Sequence, residues 1–112
     1  MKADEFVSAI QRYVLESSVG STISNLAYPP GRRAAPDLLA RSEWFNSLSA
    51  VEADMLRAVA GEAARSAVFG FLAVLDGTRV IDSEKGTLEL HHVGREKRLA
   101  NPSGIDLHDL LE

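Results

Sequence analysis

The stretch Ala67–Gly77, AVFGFLAVLDG, decides how the chain divides into elements. Nine uncharged residues run into an Asp-Gly pair. One reading makes FLAVL a strand, Asp76-Gly77 a two-residue hairpin turn and TRVID the returning strand. The other makes the stretch the end of a helix. Upstream, AVEADMLRAVAGEAARSA is rich in strong helix formers, and between it and Leu75 Gly70 is the one breaker, at about 1 kcal/mol. Gly77 can close a helix in the left-handed conformation. The helical reading is therefore favoured.

The start of that helix is marked. Ser49 precedes Glu52 by three residues, the spacing of a capping box. A helix from about Ala50 to Leu75 would be about 39 Å long at 1.5 Å per residue. A compact chain of this length has a radius of gyration of about 13 Å, so a bend at Gly61 or Gly70 is admissible. Met55, Leu56, Val59, Ala60, Ala63 and Ala67 read as one inward face. The second half is apolar all round, which predicts burial of Phe69, Phe71, Leu72 and Leu75. The run at 67–75 is far short of the roughly 20 residues of a membrane span.

Working back from Ser49, Pro36 suits the first position of a short helix, PDLLARSEWFNSL, with Asp37 in its first turn. Leu38, Leu39, Phe45 and Leu48 are its expected anchors. Trp44 and Phe45 sit about 100° apart on such a helix, so one can be buried while the other is partly exposed. Pro29-Pro30-Gly31 breaks helical structure, and Arg32-Arg33 follows it. Phe6, Val7, Ile10, Tyr13 and Val14 form the stripe of a first helix, read as ending at Ser17, Ser18 and Gly20.

Beyond Gly77 the period becomes that of strands. TRVID and TLELHHV alternate, joined by Ser83-Glu84-Lys85-Gly86. A second turn at Gly94–Lys97 leads to a third short strand around Arg98–Ala100. IDLHDLLE closes the chain as a short helix burying Ile105, Leu107 or Leu110, and Leu111. The order predicts one α+β domain over residues 1–112, with N-terminal helices, a long central helix on a small antiparallel meander, and a closing helix.

Composition narrows the classes. The chain has 112 residues, 46% hydrophobic and 25% charged, and a formal net charge of −4. That balance argues against general nucleic-acid binding, which needs a basic footprint. The absence of cysteine excludes disulfides, thiolate metal sites and a cysteine nucleophile. Asp4, Glu5, Gln11 and Arg12 break any apolar leader at the N-terminus. The expectation is a cytoplasmic protein without membrane attachment.

Few residues suggest chemistry. Adjacent His91 and His92 point to opposite faces of a strand. Glu89 and His91 share a face, and His108 could join them to hold a metal or serve a small-molecule enzyme, although zinc needs three or four convergent groups. Asp106 and Asp109 are neighbours on a helix, with His108 off their face. No phosphate-binding glycine pattern occurs. No cofactor is expected. Tyr, Trp and Arg are the types enriched in binding hot spots. Tyr28, Arg32, Arg33 and Trp44 therefore make one candidate partner surface, and the acidic turn with Asp82 and Glu84 makes a second.

Trp44 on a short helix is followed by the capped helix running through Val68-Phe69-Gly70 and Val74-Leu75-Asp76-Gly77. Gly86-Thr87-Leu88-Glu89-Leu90 and Leu107-His108-Asp109-Leu110-Leu111 come next. This pattern resembles small bacterial proteins of the immunity type from toxin–immunity loci. The resemblance covers a little over half the chain and consists mainly of fold determinants. It implies a non-enzymatic protein that binds and blocks one cognate toxin, with a basic toxin suiting the acidic balance. A generic adaptor is the remaining alternative.

Overall fold

The computed structural model describes residues 1–84 and 86–112. Lys85, which the sequence reading places in a hairpin loop, lies outside them. The architecture is α+β. Helix α1 (Ala3–Ile10) passes through a π-helical segment (Gln11–Glu16) into α2 (Ser17–Ala27). Helices α3 (Pro36–Ser47) and α4 (Ala50–Leu75) follow. A hairpin of β1 (His91–Val93) and β2 (Lys97–Leu99) and a 3-10 turn (Leu107–Leu110) complete the order.

Both ends of α4 form as the sequence dictates. The Glu52 amide donates to Ser49 Oγ at 3.2 Å, and the Ser49 amide donates to Glu52 Oε1 at 2.9 Å. That amide, and then the hydroxyl, hold the Glu52 carboxyl below its ordinary value. At the other end Gly77 takes φ +79°. Its amide donates to Val74 O, and that of Thr78 to Ala73 O, the paired bonds of a Schellman ending. The hairpin reading of Phe71–Asp82 is thereby excluded.

The first helix does not stop at Ser17, Ser18 and Gly20; it continues to Ala27. Serines and one glycine are tolerable in a helix packed along a partner, and tertiary contact overrides their weak propensity. The inward row also differs from the expected stripe. Ala3, Val7, Gln11, Leu15, Val19 and Ile23 are buried or half-buried, whereas Tyr13 and Val14 are exposed. A spacing of four exceeds the 3.6 residues of an α-turn, so the row drifts round the helix. The wider π turns take up part of that drift. On α4 the matching inward row is Ala53, Leu56, Ala60, Ala64, Val68 and Leu72.

The main core lies at one end of this helix pair. Ala3 and Val7 meet Leu72, Leu107 and Leu111, with Leu15, Val68, Leu75 and Leu110 around them. The 3-10 turn thus plugs the gap between α1 and the end of α4. At the far end, Ser42 Oγ and Asn46 Nδ2 both donate to the Ala27 carbonyl, which fixes α3 on the end of α2. Phe45 is buried there and Trp44 is half exposed, as their 100° separation allows. Leu38 and Leu39 are exposed and do not anchor α3.

Several core expectations fail. Phe71 is 62% exposed and Phe69 40%. Met55, Val59, Ala63 and Ala67 are also exposed, as is Ile105. An apolar sector wider than its partner leaves part of itself in solvent. Phe71→Ala is accordingly expected to shift stability by only about 0.5 kcal/mol, the range of surface substitutions; a thermal melt measures this. The strand expectation fails in part too. Thr78–Asp82 and Thr87–Leu90 are not in strands, and among the described residues the sheet is β1 paired antiparallel with β2, from His91↔Leu99 to Val93↔Lys97. The radius of gyration is 18.2 Å, with extents of 49 × 31 × 26 Å, because the two long helices lie side by side without a layer covering them.

Candidate functional site

The exposed strands of the hairpin do not lie face-down on α4. One side chain ties the hairpin to the helix end. Asn101 Nδ2 donates to the Leu75 carbonyl at 3.1 Å and to the Leu88 carbonyl at 2.9 Å, while its Oδ1 accepts from the Leu90 amide at 2.8 Å. Arg79 folds back on the other side of the helix end. Gly70 is buried beneath it, and a Cβ at Gly70 would overlap the Arg79 guanidinium. The apparent weak point of the long helix is therefore a seat for the chain that follows it.

Between these two ties, residues 79–84 and 86–88 line a cavity of about 660 Å³. Val74, Val80, Ile81 and Leu88 supply its apolar lining; Arg79, Asp82 and Glu84 supply charge. Val80 is 78% exposed and Ile81 71%. The Asp82 carboxylate accepts from the Glu84 amide at 3.0 Å and shapes the turn. This segment has the alternation of a strand and no strand partner among the described residues. Asp82 and Glu84, read as an acidic surface, stand on its rim.

The other candidate surface lies toward the start of α4, where Arg57 borders it about 26 Å along the helix from Val74. Tyr28 is 82% exposed beside a shallow depression between α2 and α4 that Arg57 also borders. Arg32, Arg33 and Trp44 are exposed as well. The buried polar group near it, Ser42, spends its hydroxyl on the Ala27 carbonyl.

The candidate metal triad does not assemble. His91 Nε2 lies 3.1 Å from Glu89 Oε2, as a shared face requires. His108 is held elsewhere, its Nδ1 2.7 Å from Asp76 Oδ2. The Asp76 carboxylate also accepts from the amides of Leu107 and His108 at 2.8 and 2.9 Å. Asp76, Asp106 and His108 are the one trio of such ligands within 4.8 Å among the described residues. Asp76 oxygens that already accept three hydrogen bonds are poorly free to bind an ion. Spacing does not reveal this dyad, because its partners are 32 positions apart.

Asp76 raises the His108 pKa above 6.5 by its hydrogen bond, against the lowering effect of burial; Asp109, Asp76 and Asp106 add to the rise through their charge. A raised folded value means that the folded state holds the proton more tightly. The stabilisation is complete below about pH 6.5 and is lost as pH rises through the folded value. The melting temperature should therefore fall as pH rises from about 6.5 through the folded value in the native chain. His108→Phe should flatten that limb, as melts across pH would show.

No protein-family model, curated protein or solved structure matches this chain.

Proposed function

We propose that this protein acts by binding another protein in a fixed ratio and turns over no substrate. The observation that carries the reading is the segment Arg79–Leu88, whose Val80 and Ile81 stand in solvent around an open cavity with acidic residues on its rim. Exposed apolar groups bordered by charge are the ordinary anatomy of an interaction surface. A two-stranded hairpin is marginal alone and gains stability from further strands. An extended segment of a partner could add to it and take Val80 and Ile81 into a shared core.

The finer reading is an immunity protein that occludes a cognate basic toxin in the producing cell. It is supported by the resemblance running from Trp44 to Leu111 and by the charge of −4. Asp82 and Glu84 would then steer association, since complementary charge acts mainly on rate and specificity.

The experiment compares partner affinity across two sets of variants. Val80→Asp, Asp82→Lys and Glu84→Lys should weaken binding, with Val80→Asp at a hot-spot cost of about 2 kcal/mol or more. Arg32→Glu and Arg33→Glu should bind as the native chain does. Unchanged affinity in the first set would remove this surface from consideration.

A further inference from the structure

The open face of α4 carries a second, independent reading. Val51, Met55 and Val59 are 66%, 64% and 61% exposed. Ala63 and Ala67 continue the same row and are exposed too. These five residues recur at intervals of four, a ridge of the kind that packs helix on helix. By length and composition α4 could cross a membrane, yet only 17% of its most apolar window is buried. The accessible surface of the chain is 8370 Å². A folded monomer of 12.1 kDa exposes about 6,000 Å² by the usual scaling. The excess is roughly 2,300 Å² per chain, and covering half of it on each of two copies would bury roughly 2,300 Å² in total, the size of a stable dimer interface.

We propose that the occupant of this face is a second copy of the same chain, with α4 crossing α4 about a twofold axis at Val59. The row is self-complementary about that residue. Turned onto itself, Met55 falls at the level of Ala63 of the other copy, so a large side chain meets a small one on each side of the axis, while Val51 and Ala67 lie where the row has turned toward the flanks. Val59 meets Val59. No like charges coincide: Glu52 falls level with Ser66 and Glu62 with Leu56. Rows spaced by four interlock at a crossing angle of about −50°. A bilayer fits the helix less well. Glu62 and Arg65 interrupt it, and Arg65 is committed to the carbonyls of Leu111 and Glu112.

The native chain has no cysteine, which makes the test direct. The native chain at tens of micromolar should scatter light as twice 12.1 kDa. Val59→Glu, at an exposed position, should halve that mass while leaving helical circular dichroism unchanged. Val59→Cys should form a disulfide-linked dimer on mild oxidation, since the two copies meet there. Val51→Cys alone should not, because its two copies would lie about 24 Å apart along the pair, whereas Met55→Cys mixed with Ala63→Cys should. A monomeric native chain, a dimer surviving in Val59→Glu, equal cross-linking at Val51 and Val59, or flotation of the native chain with phospholipid vesicles would each overturn the proposal.

Discussion

Asp76→Ala is expected to destabilise the fold by about 3–5 kcal/mol, the cost of removing one member of a buried charged pair. The Asp76 side chain is 1% exposed and that of His108 12%. The carboxylate accepts from two amides and one imidazole, so its loss strands three donors at the start of the 3-10 turn. That turn carries Leu107 into the core, and Phe69 packs edge-on against the His108 ring at 5.2 Å between centroids. The variant should therefore lose the turn, the stacked ring and the plug together. Total stabilities of about 5–15 kcal/mol leave little in reserve. Denaturant unfolding measures the loss; a change under about 1 kcal/mol, the size of an exposed pair, would place the dyad in solvent.

Leu107→Ala is expected to cost about 2–5 kcal/mol, the range for truncating a buried leucine. Leu107 is fully buried, at 0% exposure, between α1 and the end of α4. The upper part of that range is expected, because the central cluster holds only Ala3, Val7, Leu72 and Leu111 besides it. So few neighbours cannot collapse into the cavity without moving a helix. Leu110→Ala, at a half-buried position of the same turn, should cost less. Equal losses at the two positions would contradict the assigned core.

What could be read from the sequence was local. Ser49 with Glu52, Pro36 before Asp37, and Asp76 with Gly77 act within a few residues, and each forms as its chemistry dictates. The failures concern which apolar groups find cover. Phe71 lies in a run that is apolar on every side, and periodicity could not say that no element reaches it. Val80 and Ile81 show the alternation of a strand, but a strand needs a neighbour, and the single hairpin lies farther along. Of the candidate site, the Asp82–Glu84 turn was legible as charge, while Val80, Ile81 and Leu88 read as residues of strands. The Asp76–His108 dyad joins a helix ending to a distant turn, and only the tertiary arrangement reveals it.

The proposed mode of action is binding in a fixed ratio without turnover. Native mass measurement of the tagged chain captured from its own host tests it most directly. The expected result is one additional polypeptide in a whole-number ratio to this chain, absent when Val80→Asp and Ile81→Asp are combined. A captured chain carrying a metal ion or small molecule and no polypeptide would contradict the claim.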